Sequence, residues 1–268
     1  GVEERFDESK VYQYLLSSGV SEDLAQKAIS YLESNLNRID STNTIHEHIA
    51  KFLRENAPSE NYYNYSLKRA VMQLGPSGHP FEILVADVLA TKGYQTEVGV
   101  IALGKCVTHE IDVIAAKGNK QHFIECKFHN APGVKTDVQV ALYTYARFLD
   151  VKNAMQDTHG ENKEYSSWLI TNTKVTTEVF DYARCVGLDI TAWYLPEGRG
   201  LRDLIIDSGL HPVTVLYQLS PRQMTQLIDR GFITCARVKQ AIEQDQIRDI
   251  LNPDQSKLIL SDIKSFCK

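Results

Sequence analysis

Four charged residues on two neighbouring runs offer the clearest chemistry in this sequence: Glu110, Asp112, Glu125 and Lys127. The runs, Val107–Ala116 and His122–His129, are rich in β-branched and apolar residues. Lys117-Gly-Asn-Lys120 separates them, with a Gly-Asn pair of hairpin type. If Gly118 and Asn119 form the loop, Lys117 pairs with Lys120. That register sets Asp112 across from Glu125 and Glu110 across from Lys127, and alternation puts all four on one face. Opposed carboxylates with Cβ atoms about 5 Å apart repel each other. A divalent cation removes that penalty, and Mg²⁺ (or Mn²⁺) takes a few carboxylate oxygens with water completing its shell. Lys127 points to the same side as Glu125 and can hold a metal-bound water, whose pKa the metal lowers while it neutralises a scissile phosphate. Ile111, Val113, Ile124 and Cys126 would bury the opposite face. An exposed sheet face with two cross-strand salt bridges would use the same residues, so the pattern alone leaves both readings open.

The surrounding elements must hold such a hairpin. Residues 1–75 read as helices: Ser9–Ser18, then one opened by Ser21-Glu-Asp with a stripe of Leu24, Ala28, Ile29, Leu32 and Leu36, then Thr42–Asn56 and Glu60–Leu74. Gly75-Pro76-Ser77-Gly78 is a break. From there to about 198 the pattern is mixed. A helix with Phe81, Leu84, Val85, Val88 and Leu89 on its apolar side comes first. Strand-like runs follow at Tyr94–Ile101, Val107–Ala116 and His122–His129. A helix near Thr136–Asp150, a strand at Ser167–Thr171, a helix near Thr176–Val186 and a strand at Asp189–Tyr194 complete it. This order predicts an α/β domain, a mixed β-sheet flanked by helices. Residues 199–268 read as helical, with Ser220-Pro221 as a cap followed by proline at N1. The expected parts are therefore 1–75, 76–198 and 199–268.

Composition sets few further bounds. The chain has 268 residues, 43% hydrophobic and 24% charged, which fits a globular protein. No run approaches the roughly 18 apolar residues that cross a bilayer, and no signal peptide is expected. Cys106, Cys126, Cys185, Cys235 and Cys267 form no CxxC pair, so small buried thiols in a reducing cytoplasm, without structural zinc, are expected. Net charge is −5, but residues 199–268 alone hold 10 Lys and Arg against 8 Asp and Glu. The overall charge neither supports nor excludes a nucleic-acid partner.

The motif residues carry a resemblance. Gly78-x-x-Phe81-Glu82, Glu110-Ile-Asp112-Val and Ile124-Glu125-Cys126-Lys127 together resemble the PD-(D/E)XK nucleases, closest to Mrr-like restriction endonucleases, over residues 77–195. The resemblance implies a restriction-endonuclease-like fold and Mg²⁺-dependent hydrolysis of DNA. It implies that Asp112, Glu125 and the Cys126 carbonyl bind the metal, that Glu82 approaches it from its helix, and that Lys127 positions the water. Gln139-x-x-x-Tyr143 is similar to a motif of RecB-like members, and that spacing shares one helix face, so either residue could touch substrate. Many Mrr-like chains carry Gly-Asp-Gly-Gly before the metal aspartate, where this one has Val107-Thr-His109-Glu110; His109 is expected to be structural.

The first segment resembles an ATP-cone, with Phe6-Asp7-Glu8-Ser9-Lys10-Val11 at its helix opening and Tyr65-Ser-Leu-Lys-Arg-Ala70 near its end. That would make Lys10 a contact for ATP or another nucleotide; of the family's opening Lys-Arg-x-Gly strand, only Gly1 remains. The C-terminal helices, with Gly231-Phe-Ile233 and Arg222, Arg230 and Arg237, loosely resemble a helix-hairpin-helix backbone binder. The expected partner is DNA, with RNA left open, and a second copy of the chain, because restriction-type enzymes often dimerise to cut both strands. The competing class is a nucleic-acid-binding or nucleotide-sensing module that does not cut.

Overall fold

The computed structural model describes residues 7–35, 41–159 and 163–267, so Gly1, Phe6 and Leu36 of the patterns above lie outside it. Capping fixes the first helices. Asp7 accepts from the Ser9 and Lys10 amides at the start of α1 (Glu8–Ser17), Ser21 from Leu24 at α2 (Glu22–Glu33), and Ser41 from Thr44 at α3 (Thr42–Asn56). Helix α4 (Ser59–Met72) follows. Helix α5 (His79–Thr91) starts with Pro80 in its first turn and buries Phe81, Leu84, Val85, Val88 and Leu89, the predicted stripe.

The sheet order is β1-β2-β3-β5-β7. Strands β1 (Gln95–Leu103), β2 (Thr108–Lys117) and β3 (Lys120–Lys127) form an antiparallel meander. The predicted register is observed from Lys117 opposite Lys120 to Val113 opposite Ile124, where the ladder ends; the expected pairs Asp112–Glu125 and Glu110–Lys127 lie beyond it. After β4 (Lys135–Thr136), helix α6 (Val138–His159) returns the chain to β5 (Glu164–Thr171), parallel to β3. Strand β6 (Lys174–Val175) pairs with β4 in a small separate sheet that the sequence reading missed. Helix α7 (Thr177–Val186) leads to β7 (Asp189–Thr191), parallel to β5. The last strand is shorter than expected because Ala192 turns back to hydrogen-bond Leu195. This is a mixed five-stranded sheet flanked by helices, a restriction-endonuclease-like α/β fold.

Helix α5 and α8 (Leu201–Ser208) cover one face of the sheet, over Val113, Ala115, Ile124 and Cys126. Helix α6 covers the other, its Phe148 and Val151 on Ile111, Ile114 and Phe123. The expectation that Ile111 joins Val113 is therefore corrected. Alternation breaks at Asp112, so Ile111 and Val113, two residues apart, reach opposite faces. The β1–β2 pairing passes from Val98–Val113 to Val100–Ile111, with Gly99 between at a φ of 66°. A local kink of this kind re-aims one side chain, here that of Asp112.

After a 3-10 turn at Val213–Val215 come α9 (Pro221–Asp229), α10 (Cys235–Glu243) and α11 (Pro253–Ile263). They share one apolar cluster with α1 to α4: Leu15, Ile29, Leu32 and Leu53 pack with Val213, Leu227, Val238 and Ile259. Arg237 is not available to a phosphate as the sequence suggested. Its guanidinium donates to both Asp87 oxygens on α5, each at 2.7 Å, and Arg230 is paired with Asp249. Cys126, Cys235 and Cys267 are buried as expected, whereas Cys106 and Cys185 are exposed.

Candidate active site

Three elements meet at the open end of the β2–β3 hairpin. The first turn of α5 is held against the end of β3 by Phe81, whose ring centre lies 5.6 Å from that of Phe128. A Cβ at Gly78 would stand 3.6 Å from Glu82 Oε1 and 4.0 Å from Phe128 Cβ, ordinary contact distances that put this turn beside the end of the strand. Glu82 is thereby brought to the hairpin, with His79 Nδ1 3.1 Å from its Oε2.

Asp112 sits where the ladder ends, and its Oδ2 accepts the Cys126 amide at 2.7 Å. Burial first, then the neighbouring Glu125, push its carboxyl up to about 7, and Glu82 pushes the same way; the Cys126 amide and Arg147 oppose them. Cys126 turns its thiol into the core under α5, and burial raises that thiol well above its usual range. Glu125 faces α6. Tyr143 Oη donates to its Oε1 at 2.9 Å and Arg147 Nη1 to its Oε2 at 2.6 Å. Burial and Glu125 raise the Tyr143 phenol, which keeps it a donor. Lys127 pairs in register with Thr171, and its side chain has no ion pair among the described residues.

Beyond Lys127 the chain is locked from β5. Asn172 Oδ1 accepts the His129 amide at 2.9 Å and Asn172 Nδ2 donates to the His129 carbonyl at 2.7 Å. His129 also contacts the buried Thr136 hydroxyl at 3.2 Å, and burial together with Lys127 lowers its pKa, favouring the neutral ring.

The structure thus brings together Glu82, Asp112, Glu125 and Tyr143, with Lys127 two positions beyond Glu125 on β3. Gln139 remains exposed on the first turn of α6, its amide capped by Asp137. Lys10 lies on α1, 3.6 Å from Asp7, in an open groove with Gln13 and Tyr194. His109 is structural, as expected: its Nε2 is 2.8 Å from Asp150 Oδ2, and Asp150 also accepts the Cys106 and Val107 amides. Two groups of this site escaped the sequence reading, Arg147 and Asn172. Arg147 had a signal, since it follows Tyr143 by four residues and must share its helix face.

Residues 75–197 match the Mrr catalytic-domain family, described as restriction endonuclease. The chain is 38% identical over 181 residues to an uncharacterized protein of Archaeoglobus fulgidus, covering 67% of this chain and 98% of that one. The chain belongs to the Mrr-like restriction-endonuclease family. The crystal structure of a protein of unknown function named AF1548 superposes with a TM-score of 0.58 at 36% identity. It covers 70% of this chain and 97% of its own.

Restriction-endonuclease-like domains usually use divalent metals, and the donor set here fits one in kind. Asp112 is a partly buried carboxyl beside two other carboxylates, so it holds its proton near neutrality until a cation offsets them. Among the described residues no cluster of three or more His, Cys, Asp or Glu is already arranged to hold an ion. Both Glu125 oxygens accept from α6, one from Tyr143 and one from Arg147.

Proposed function

We propose that this Mrr-like protein is a Mg²⁺-dependent DNA endonuclease, with Asp112, Glu125, the Cys126 carbonyl and Glu82 as cation ligands and Lys127 as the water-positioning residue. The observation that carries the reading is the meeting of Asp112, Glu82 and Glu125 at the end of the β2–β3 hairpin, where burial and the two acids push the Asp112 carboxyl up, with Lys127 two positions beyond Glu125 on β3 and without an ion pair among the described residues. A bound Mg²⁺ supplies a water of lowered pKa and a counter-charge for the phosphate. The chain does the rest. Asp112 is fixed by the Cys126 amide, Glu125 by α6, and the Lys127 backbone by β5, with Asn172 clamping the residues that follow. The Lys127 ammonium can then donate to the attacking water or to a non-bridging oxygen while the water, giving up a proton to solvent, adds to phosphorus, the P–O bond to the leaving sugar breaks and the sugar oxygen takes a proton from solvent. Tyr143 and Gln139 flank the approach from α6.

A second reading, a nucleic-acid-binding module that does not cut, draws on the pairing of both Glu125 oxygens with α6. Incubation of an end-labelled duplex with Mg²⁺ separates the two: binding and cutting by the wild type, with binding alone by Asp112→Ala, supports the nuclease. Binding without cutting by both supports the module.

Functionally we assign residues 76–198 to catalysis and 1–75 to regulation by ATP or another nucleotide; with Arg230 and Arg237 paired to Asp249 and Asp87, a backbone-binding role for 199–268 rests on Arg222. Lys10 and its groove are the place for the nucleotide, and an ATP-dependent rise in melting temperature that Lys10→Ala abolishes is the expected result.

A further inference from the structure

Arg147 is the one arginine or lysine in contact with the carboxylates of the candidate site, among the described residues. Its Nη1 lies 2.6 Å from Glu125 Oε2 and 3.2 Å from the Glu110 carbonyl, and its guanidinium carbon lies 5.6 Å from the centre of the Tyr143 ring. Glu125 is the more buried partner, its side chain 12% exposed against 29% for Arg147. The pair therefore stands at the rim, with the carboxylate inside and the guanidinium reaching to solvent. Tyr143 donates to the second Glu125 oxygen, so each oxygen already carries one donor and an ion at Glu125 must share the carboxylate with both or displace one.

Tyr143 and Arg147 differ in what they do next. The phenol is neutral and can share an oxygen with a cation. The guanidinium is always charged and cannot: a divalent ion on Glu125 and Arg147 on Glu125 repel each other. Once displaced, Arg147 is a long, partly exposed donor fork at the rim of the candidate site, one turn along α6 from Tyr143. A planar fork matches phosphate oxygens as it matches a carboxylate.

We infer that Arg147 is an exchangeable cation of this site: it neutralises Glu125 when no divalent ion is bound and transfers to a phosphate of the substrate when one enters. The inference rests on the nuclease reading and adds a substrate-contacting residue to it. Metal entry and phosphate contact become coupled, because each frees a partner for the other.

The test measures Mg²⁺ binding alone by calorimetry, without nucleic acid, on wild type, Arg147→Met and Asp112→Asn. Removing the competing guanidinium should tighten Mg²⁺ about tenfold, the scale of one lost charge-assisted contact. A merely structural arginine would leave the affinity unchanged or weaken it. The second readout is the salt dependence of duplex binding in a Lys127→Ala background that cannot cut. Mg²⁺ should steepen the slope by about one phosphate contact when Arg147 is present and leave it unchanged in Arg147→Met. Should the methionine variant lose its melting transition, Arg147→Gln removes the charge while keeping a hydrogen-bond donor and should tighten Mg²⁺ as the methionine variant does. Mg²⁺ binding that depends on Asp112 but is indifferent to Arg147 overturns this inference and leaves the nuclease standing. No Asp112-dependent binding in any variant overturns both.

Discussion

Replacing Asp112 with asparagine should make the metal-free protein more stable while destroying its candidate chemistry. Asparagine keeps the oxygen that accepts the Cys126 amide and removes the charge that burial, Glu125 and Glu82 disfavour. Raising a carboxyl from its ordinary 3.8 to about 7 amounts to about 4 kcal/mol against the ionised form, at about 1.4 kcal/mol per tenfold. Partial solvent access at the site reduces this, so the expected gain is roughly 2–4 kcal/mol, or about 5–10 °C in Tm for a chain of this size. The sign follows from proton binding. Between about pH 4 and 7 the native protein holds a proton on Asp112 that the unfolded chain has released, so wild-type stability falls as pH rises through that window. The asparagine variant lacks this dependence. Thermal and urea unfolding in chelator should show the full difference above pH 7, shrinking to nothing near pH 4. A difference that does not change with pH, or a less stable variant, would refute the electrostatic account of the site.

Two further changes probe how the site is held. Arg237→Ala removes the two-pronged contact to Asp87 that ties α10 to α5; it should cost about 1 kcal/mol. A double-mutant cycle with Asp87→Ala should recover that coupling, and additive losses would show that the pair contributes nothing. Gly104→Ala puts a Cβ onto the Asp150 carboxylate and 2.5 Å from the Val107 carbonyl; it should cost roughly 1–3 kcal/mol and speed amide exchange at Cys106 and Val107. Unchanged exchange there would mean that Asp150 does not organise the β1–β2 turn.

The hairpin was legible because a Gly-Asn loop fixes register by counting, and the α5 stripe because its apolar positions follow one helical face. The kink at Asp112 was not. It lies where the partner strand carries Gly99, and a lone glycine in a strand says that something bends without saying which neighbour turns. Ile111 therefore went to the wrong face in the sequence reading. Arg147 was readable from its spacing to Tyr143, but the sequence could not say that the helix face meets Glu125. Nor could it say that α1 to α4 and α9 to α11 pack on each other, since an amphipathic helix shows that a face is buried and not what buries it. For the same reason Arg237 looked free for phosphate, when its partner Asp87 lies 150 positions away.

The central claim is tested most directly by cleavage of plasmid DNA by wild type and Lys127→Ala, each with Mg²⁺ and with chelator. The account predicts nicked or linear product from the wild type with Mg²⁺ alone, and none from the variant in either condition. Cutting that survives chelator, or that Lys127→Ala retains in full, would contradict it.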